Sequence, residues 1–271
     1  MASEPRPVVG LFVEGSSGTD PLRDQFGKMW RALAEHCGHD IDLRVFGISK
    51  GQIIRLGASP LPPRPGATRL AKKGQVQLVG GGEPLDVAIA RAHDSSPLDR
   101  VVVAFDYWRP NQLLPVSGRR GCPMREEVAF VLRGLGASKH LDPKFREAAS
   151  QLLKRYESEE SLEPRGGEPT ELEVIFMSPM FEALLVHDEA TVLRALLGSK
   201  GRPKDWPKFR THEQALDKAV LDPAVEAATR KRNAYSNAKA RWGLTIVEAA
   251  EPSARLWEHE ITRRLCRILA V

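Results

Sequence analysis

The chain has 271 residues, 42% of them hydrophobic and 28% charged, an ordinary globular balance with enough apolar material to bury a sizeable core. No run of about 18 apolar residues occurs, and "MASEPRPVV" lacks the basic and long apolar regions of an export signal, so the expectation is a cytoplasmic protein that does not enter a membrane. Three scattered cysteines, Cys37, Cys122 and Cys266, show neither CxxC nor Cys/His spacing, which argues against a disulfide framework and against a thiolate zinc site.

In chain order, residues 8–13 read as a buried strand that stops on a carboxylate, Glu14. A helix over 21–37 comes next, with Thr19 or Asp20 as cap and Leu22, Phe26, Met29, Trp30 and Leu33 at helical spacing. A short strand is expected at 41–47, a proline-rich loop at 56–67, a strand at 76–79, a "GGG" turn at 80–82 and a helix over 84–93. "RVVVAF" at 100–105 is a continuous β-branched run of the kind buried inside a parallel sheet, and it also ends on an acid, Asp106. Helices are expected over 124–135 and 143–158, then an acidic, glycine- and proline-rich linker at about 158–170. A strand at 172–177 precedes two short helices, the second capped by Asp188, and the chain is helical from 211. The division read from this is an α/β unit over 1–200 and a helical, basic region over 201–271.

Alternating strands and helices predict an α/β fold with a mainly parallel sheet flanked by helices. Ligands of such sheets sit at the carboxyl ends of the strands, where Glu14 and Asp106 are both expected. Two acids on one edge repel each other unless a cation lies between them, and oxygen donors suit a hard ion such as Mg²⁺. The net charge of +5 permits contact with a polyanion. Lys and Arg concentrate in "RLAKKG" (69–74), "GRPKDWPKFR" (201–210) and "RKRNAYSNAKARWG" (230–243), where Trp206, Tyr235 and Trp242 are interleaved with the positive charge. Such a mixture either binds phosphates and stacks bases or forms a solvated helix face over buried aromatics.

The order "VEG" (13–15), "FDYWRP" (105–110) and "FEALLV" (181–186) resembles the Toprim domain of primases, topoisomerases and overcoming-lysogenization-defect nucleases. It is more closely similar to a bacterial group of Toprim-like proteins of unknown function found in phage-defence loci. The resemblance implies a Toprim-like fold and a metal-dependent nuclease working with an ATPase partner. In that reading Glu14, Asp106 and Glu182 hold Mg²⁺ or Mn²⁺, or Glu14 instead moves protons. Arg109 and Lys239 or Arg241 offset the charge of the transition state, and Arg230, Lys231, Arg232, Lys239 and Arg241 contact nucleic acid. Two departures support a second reading. Trp108 stands where active Toprim domains present the second aspartate of Asp-x-Asp, and Ser16, Ser17 and Gly18 come after Glu-Gly where an acid is common. The alternative is a catalytically inactive subunit that binds nucleic acid or a partner protein; a nucleotide-processing phosphoesterase is a third option.

The remaining candidates read as structural. His187 lies five residues from Glu182 without a partner motif, and His36 and His39 fall at a helix end that favours cations. "GGG" lacks the lysine and Ser/Thr of a P-loop.

Overall fold

The computed structural model describes residues 5–15, 25–56, 83–106, 123–159, 162, 169–177, 180–210 and 215–270. The expected strand at 76–79, the proline-rich loop from 57 on, the "GGG" turn, Asp20, Trp108, Arg109 and Cys122 lie outside the described residues.

Four strands, β1 (Val8–Glu14), β2 (Asp42–Ile48), β3 (Arg100–Asp106) and β4 (Leu172–Met177), form one all-parallel sheet in the order β2-β1-β3-β4. The helices, in chain order, are α1 (Gln25–His36), α2 (Lys50–Ile54), α3 (Leu85–Ser95), α4 (Pro123–Gly136), α5 (Pro143–Glu159), α6 (Glu182–Val186), α7 (Glu189–Leu197), α8 (Asp222–Thr229), α9 (Ala234–Asn237), α10 (Lys239–Glu248) and α11 (Glu260–Leu269). A five-residue π-helix, Asp217–Leu221, leads into α8. The α/β fold with a parallel sheet flanked by helices and a helical C-terminal region is thus as the sequence predicts. Among the described residues no helix is long and apolar enough to cross a membrane.

Alternate side chains of each strand point to opposite faces, and both faces are covered. On one, Val9, Leu11, Val13, Val102, Ala104, Ile175 and Met177 join a cluster with α1 and with helices from α6 onward. On the other, Phe12, Val101, Val103, Phe105, Leu172 and Val174 pack with α3, α4 and α5. Each fully buried Val, Leu, Ile, Phe or Met among them contributes about 1.5–3 kcal/mol. Helix α10 lies close along α1 because Gly243 has no side chain: a Cβ there would come within 2.7 Å of the Met29 sulfur. Leu216, Leu244, Leu265 and Leu269 belong to the same cluster as Val9 and Leu11, so the region beyond 201 completes the sheet's own core.

One expectation is corrected. Cys37, just after α1, and Cys266, in α11, form a disulfide with Cα atoms 4.9 Å apart, although 229 positions separate them. Spacing along the chain carried no sign of it, because the contact exists only once α11 has packed beside α1. His36 belongs to this corner, its ring stacked on Trp257 at 3.9 Å.

Candidate functional site

The strand order reverses direction between β1 and β3: from β1 the chain moves outward to β2, then crosses back to β3 on the other side. In parallel α/β sheets the crevice at this reversal, at the carboxyl ends, is where ligands bind. Glu14 and Asp106 end those two strands. Glu14 is 5% exposed, and its Oε2 accepts the Asp106 main-chain N–H at 3.2 Å. The carboxylate of Asp106 in turn accepts the Phe181 N–H at 2.8 Å, which ties the residue before α6 to the end of β3. Gly15 explains the Glu-Gly pair. Its φ of +100° turns the chain sharply off the strand, a conformation L side chains rarely adopt, while its N–H bonds to the Ile48 carbonyl at 3.1 Å.

Glu182 opens α6 and is also 5% exposed. Its Oε1 receives the Lys239 ammonium at 3.1 Å and the Tyr235 hydroxyl at 3.4 Å. The same ammonium reaches Asp217 Oδ2 at 2.8 Å. Burial lowers the proton affinity of Lys239, but Glu182 and Asp217 outweigh it and hold its pKa above the usual lysine value. The phenol of Tyr235 titrates well above its normal range, first because it is buried and then because Glu182, Asp217 and Asp106 surround it with negative charge. The structure therefore gathers Glu14, Asp106, Glu182 and Lys239, all named from sequence, around one edge.

Asp217 is the member that sequence reasoning missed. In "HEQALDKAVLD" it reads as one acid on the polar side of an amphipathic helix, yet it is 7% exposed. With Lys218 next to it, the local sequence offers no signal that sets Asp217 apart.

Other candidates lie elsewhere. Arg230, Lys231 and Arg232 are exposed on the loop between α8 and α9, with Arg230 in the left-handed region at φ 61°. The Arg241 guanidinium lies over the Trp242 ring, 5.8 Å from its centre. The aromatics of the basic stretches are spent on structure: Tyr235 is in the core, Trp242 donates to the Ala234 carbonyl, and Trp206 donates to Glu189 while stacking on Phe209. Asp188 caps α7, as expected, by accepting from Thr191 N at 3.0 Å. Burial opposes its ionisation, but hydrogen bonds from Thr191, Leu256 and Arg255 prevail and keep its carboxyl below the usual range. His187 packs edge-on against His259 at 5.1 Å.

Among the described residues no group of three or more His, Cys, Asp or Glu side chains is arranged to hold a metal ion. What they present is a hard-oxygen pair, Glu14 and Asp106, beside an acid-lysine-acid bridge. The pair suits Mg²⁺ or Mn²⁺ by donor type, whereas Glu182 is already neutralised by Lys239. Fold and site define a parallel α/β protein with a carboxylate and lysine cluster at its switch point. Comparison of the chain with known protein families, curated proteins and solved structures finds no match in any of the three.

Proposed function

We propose that this chain is a Toprim-like, metal-dependent phosphodiester hydrolase acting on nucleic acid in bacterial phage defence, together with an ATPase partner. The observation that carries the reading is the placement of Glu14 and Asp106, joined by a hydrogen bond, at the carboxyl edge between the two central strands. The defence setting and the ATPase partner rest on the resemblance of "VEG", "FDYWRP" and "FEALLV".

Glu14 and Asp106 would hold a Mg²⁺ or Mn²⁺ ion through carboxylate oxygens, with Glu182 joining where Lys239 yields it. When bound, the ion supplies positive charge for the scissile phosphate and acidifies the attacking water. Glu14 has the alternative role of taking the water's proton. Lys239, fixed on Glu182 and Asp217, would offset charge developing on the phosphoryl oxygens. The loop bearing Arg230, Lys231 and Arg232 offers exposed cations to the flanking backbone.

A specific observation also favours the second reading, a catalytically inactive subunit that binds nucleic acid or a partner protein. Lys239 already bridges Glu182 and Asp217, which occupies the Glu182 carboxylate, and Trp108 stands where the family has an aspartate. Nicking of supercoiled plasmid with Mg²⁺ or Mn²⁺ decides between them, run on wild type, Glu14→Gln and Asp106→Asn, alone and with any ATPase that co-purifies with the chain. Cleavage by wild type that both variants lose supports the hydrolase. Absence of cleavage under every condition, with retained nucleic-acid binding, supports the inactive subunit.

A further inference from the structure

Asp217 and Lys239 are joined in a way that a surface ion pair does not require. Asp217 opens the π-helix Asp217–Leu221, whose wide turn is closed by the Asp222 N–H bonding to the Asp217 carbonyl. A π-turn inserts one residue relative to an α-turn, which rotates the succeeding residues by about 100°. Here it lets the chain bury the Asp217 carboxylate while Leu216, Val220 and Leu221 also stay in the core. The carboxylate is fixed at both oxygens: Oδ1 accepts the Lys218 N–H at 2.9 Å and Oδ2 takes the Lys239 ammonium at 2.8 Å. Lys239 begins α10 and Glu182 begins α6, so one ammonium links three elements. Around it stand Glu182 and Asp217 in direct contact and the buried Tyr235 hydroxyl on Glu182, with Asp106 further back.

We infer that Asp217 is a positioning residue: presented by the π-turn, it fixes the Lys239 ammonium beside Glu182 as a charged anchor for a phosphodiester at the carboxyl edge of the sheet. The nature of the anchored ligand rests on the function proposed above; the positioning of Lys239 does not.

Acylation of lysines by acetic anhydride at one mildly alkaline pH, read by mass spectrometry, tests both parts on the intact chain. Lys239 in wild type, its ammonium held by the Asp217 and Glu182 carboxylates, should react several-fold more slowly than Lys231, although both side chains reach solvent. Asp217→Asn, which removes the 2.8 Å ion pair, should raise the Lys239 rate several-fold, and Asp217→Glu should restore most of the protection. An unchanged rate in a folded Asp217→Asn variant overturns the inference. If that variant does not fold, the wild-type comparison decides, and equal rates for Lys239 and Lys231 overturn it. Excess short DNA oligonucleotide should slow Lys239 acylation further. Protection that depends on Asp217 but ignores the oligonucleotide upholds the positioning role and overturns the phosphodiester as ligand.

Discussion

The carboxylate of Glu14 accepts the main-chain N–H of Asp106 at 3.2 Å, so the last residue of one central strand is tied to the last residue of its neighbour. Glutamine at position 14 retains an acceptor for that N–H, and asparagine at 106 retains one for Phe181. Both Glu14→Gln and Asp106→Asn should therefore stay within about 1–1.5 kcal/mol of wild type in urea unfolding. Each should lower plasmid nicking by about 10²-fold or more, because the formal charge is what the proposed chemistry uses. Parallel unfolding and nicking assays check both halves.

Lys239→Met leaves two nearly buried carboxylates without their cation. Because 43% of the Lys239 side chain is open to solvent, the expected loss is about 1–2 kcal/mol, below the roughly 3–5 of a fully buried pair. The folded-state pKa of this lysine lies above its ordinary value, so its stabilisation is whole below that ordinary value and fades as pH climbs through the raised one. The gap between wild type and variant should hold steady from neutrality to about pH 10 and narrow above it. Denaturant unfolding across that range measures it.

His259 predicts the opposite dependence, on the acid side. Burial, reinforced by His187, holds its pKa at about 4 against 6.5 for a free imidazole, while its Nδ1 accepts the Ile261 N–H to cap α11. The unfolded chain takes a proton near 6.5 and the folded one does not, so stability is whole above that value, falls as pH drops toward 4, and levels off below. This one group accounts for at most about 3 kcal/mol. His259→Asn keeps a capping acceptor without the titration and should flatten the decline, as unfolding at a series of acid pH values will read out.

Reduction of the Cys37–Cys266 bond, or Cys37→Ser, should lower stability by about 2–5 kcal/mol, since the cross-link closes most of the chain into one loop. Thermal melts with and without a dithiol reductant measure the loss. Alkylation of the denatured, unreduced protein should leave Cys37 and Cys266 unlabelled.

The parts legible in the sequence share a local cause. Strands buried on both faces show as continuous apolar runs, "LFV" and "VVVAF", and a carboxylate that ends such a run is visible without knowing what lies beside it. Leu172–Met177 and the Asp188 cap were readable for similar reasons. What was hidden depends on contacts between distant residues. Asp217 looks solvated until α10 brings Lys239 to it, and Tyr235 looks like a surface aromatic until the tail folds onto the sheet. The disulfide needs α1 and α11 to be neighbours, which no spacing encodes.

Helix α11 also supplies a late contact to the sheet. Glu173 on β4 is wholly buried, and burial raises its pKa despite the Arg264 guanidinium 3.2 Å away. Arg264 also donates to the Val174 and Leu162 carbonyls. During synthesis Glu173 leaves the ribosome 91 residues before that arginine. In the interval the acid has the Thr170 hydrogen bonds and the charge of Arg155 and Arg100 but lacks the Arg264 guanidinium, so its burial in β4 is only partly compensated. The Arg264 contact on the fourth strand forms only when α11 arrives, and the nascent chain should be more sensitive to protease until then.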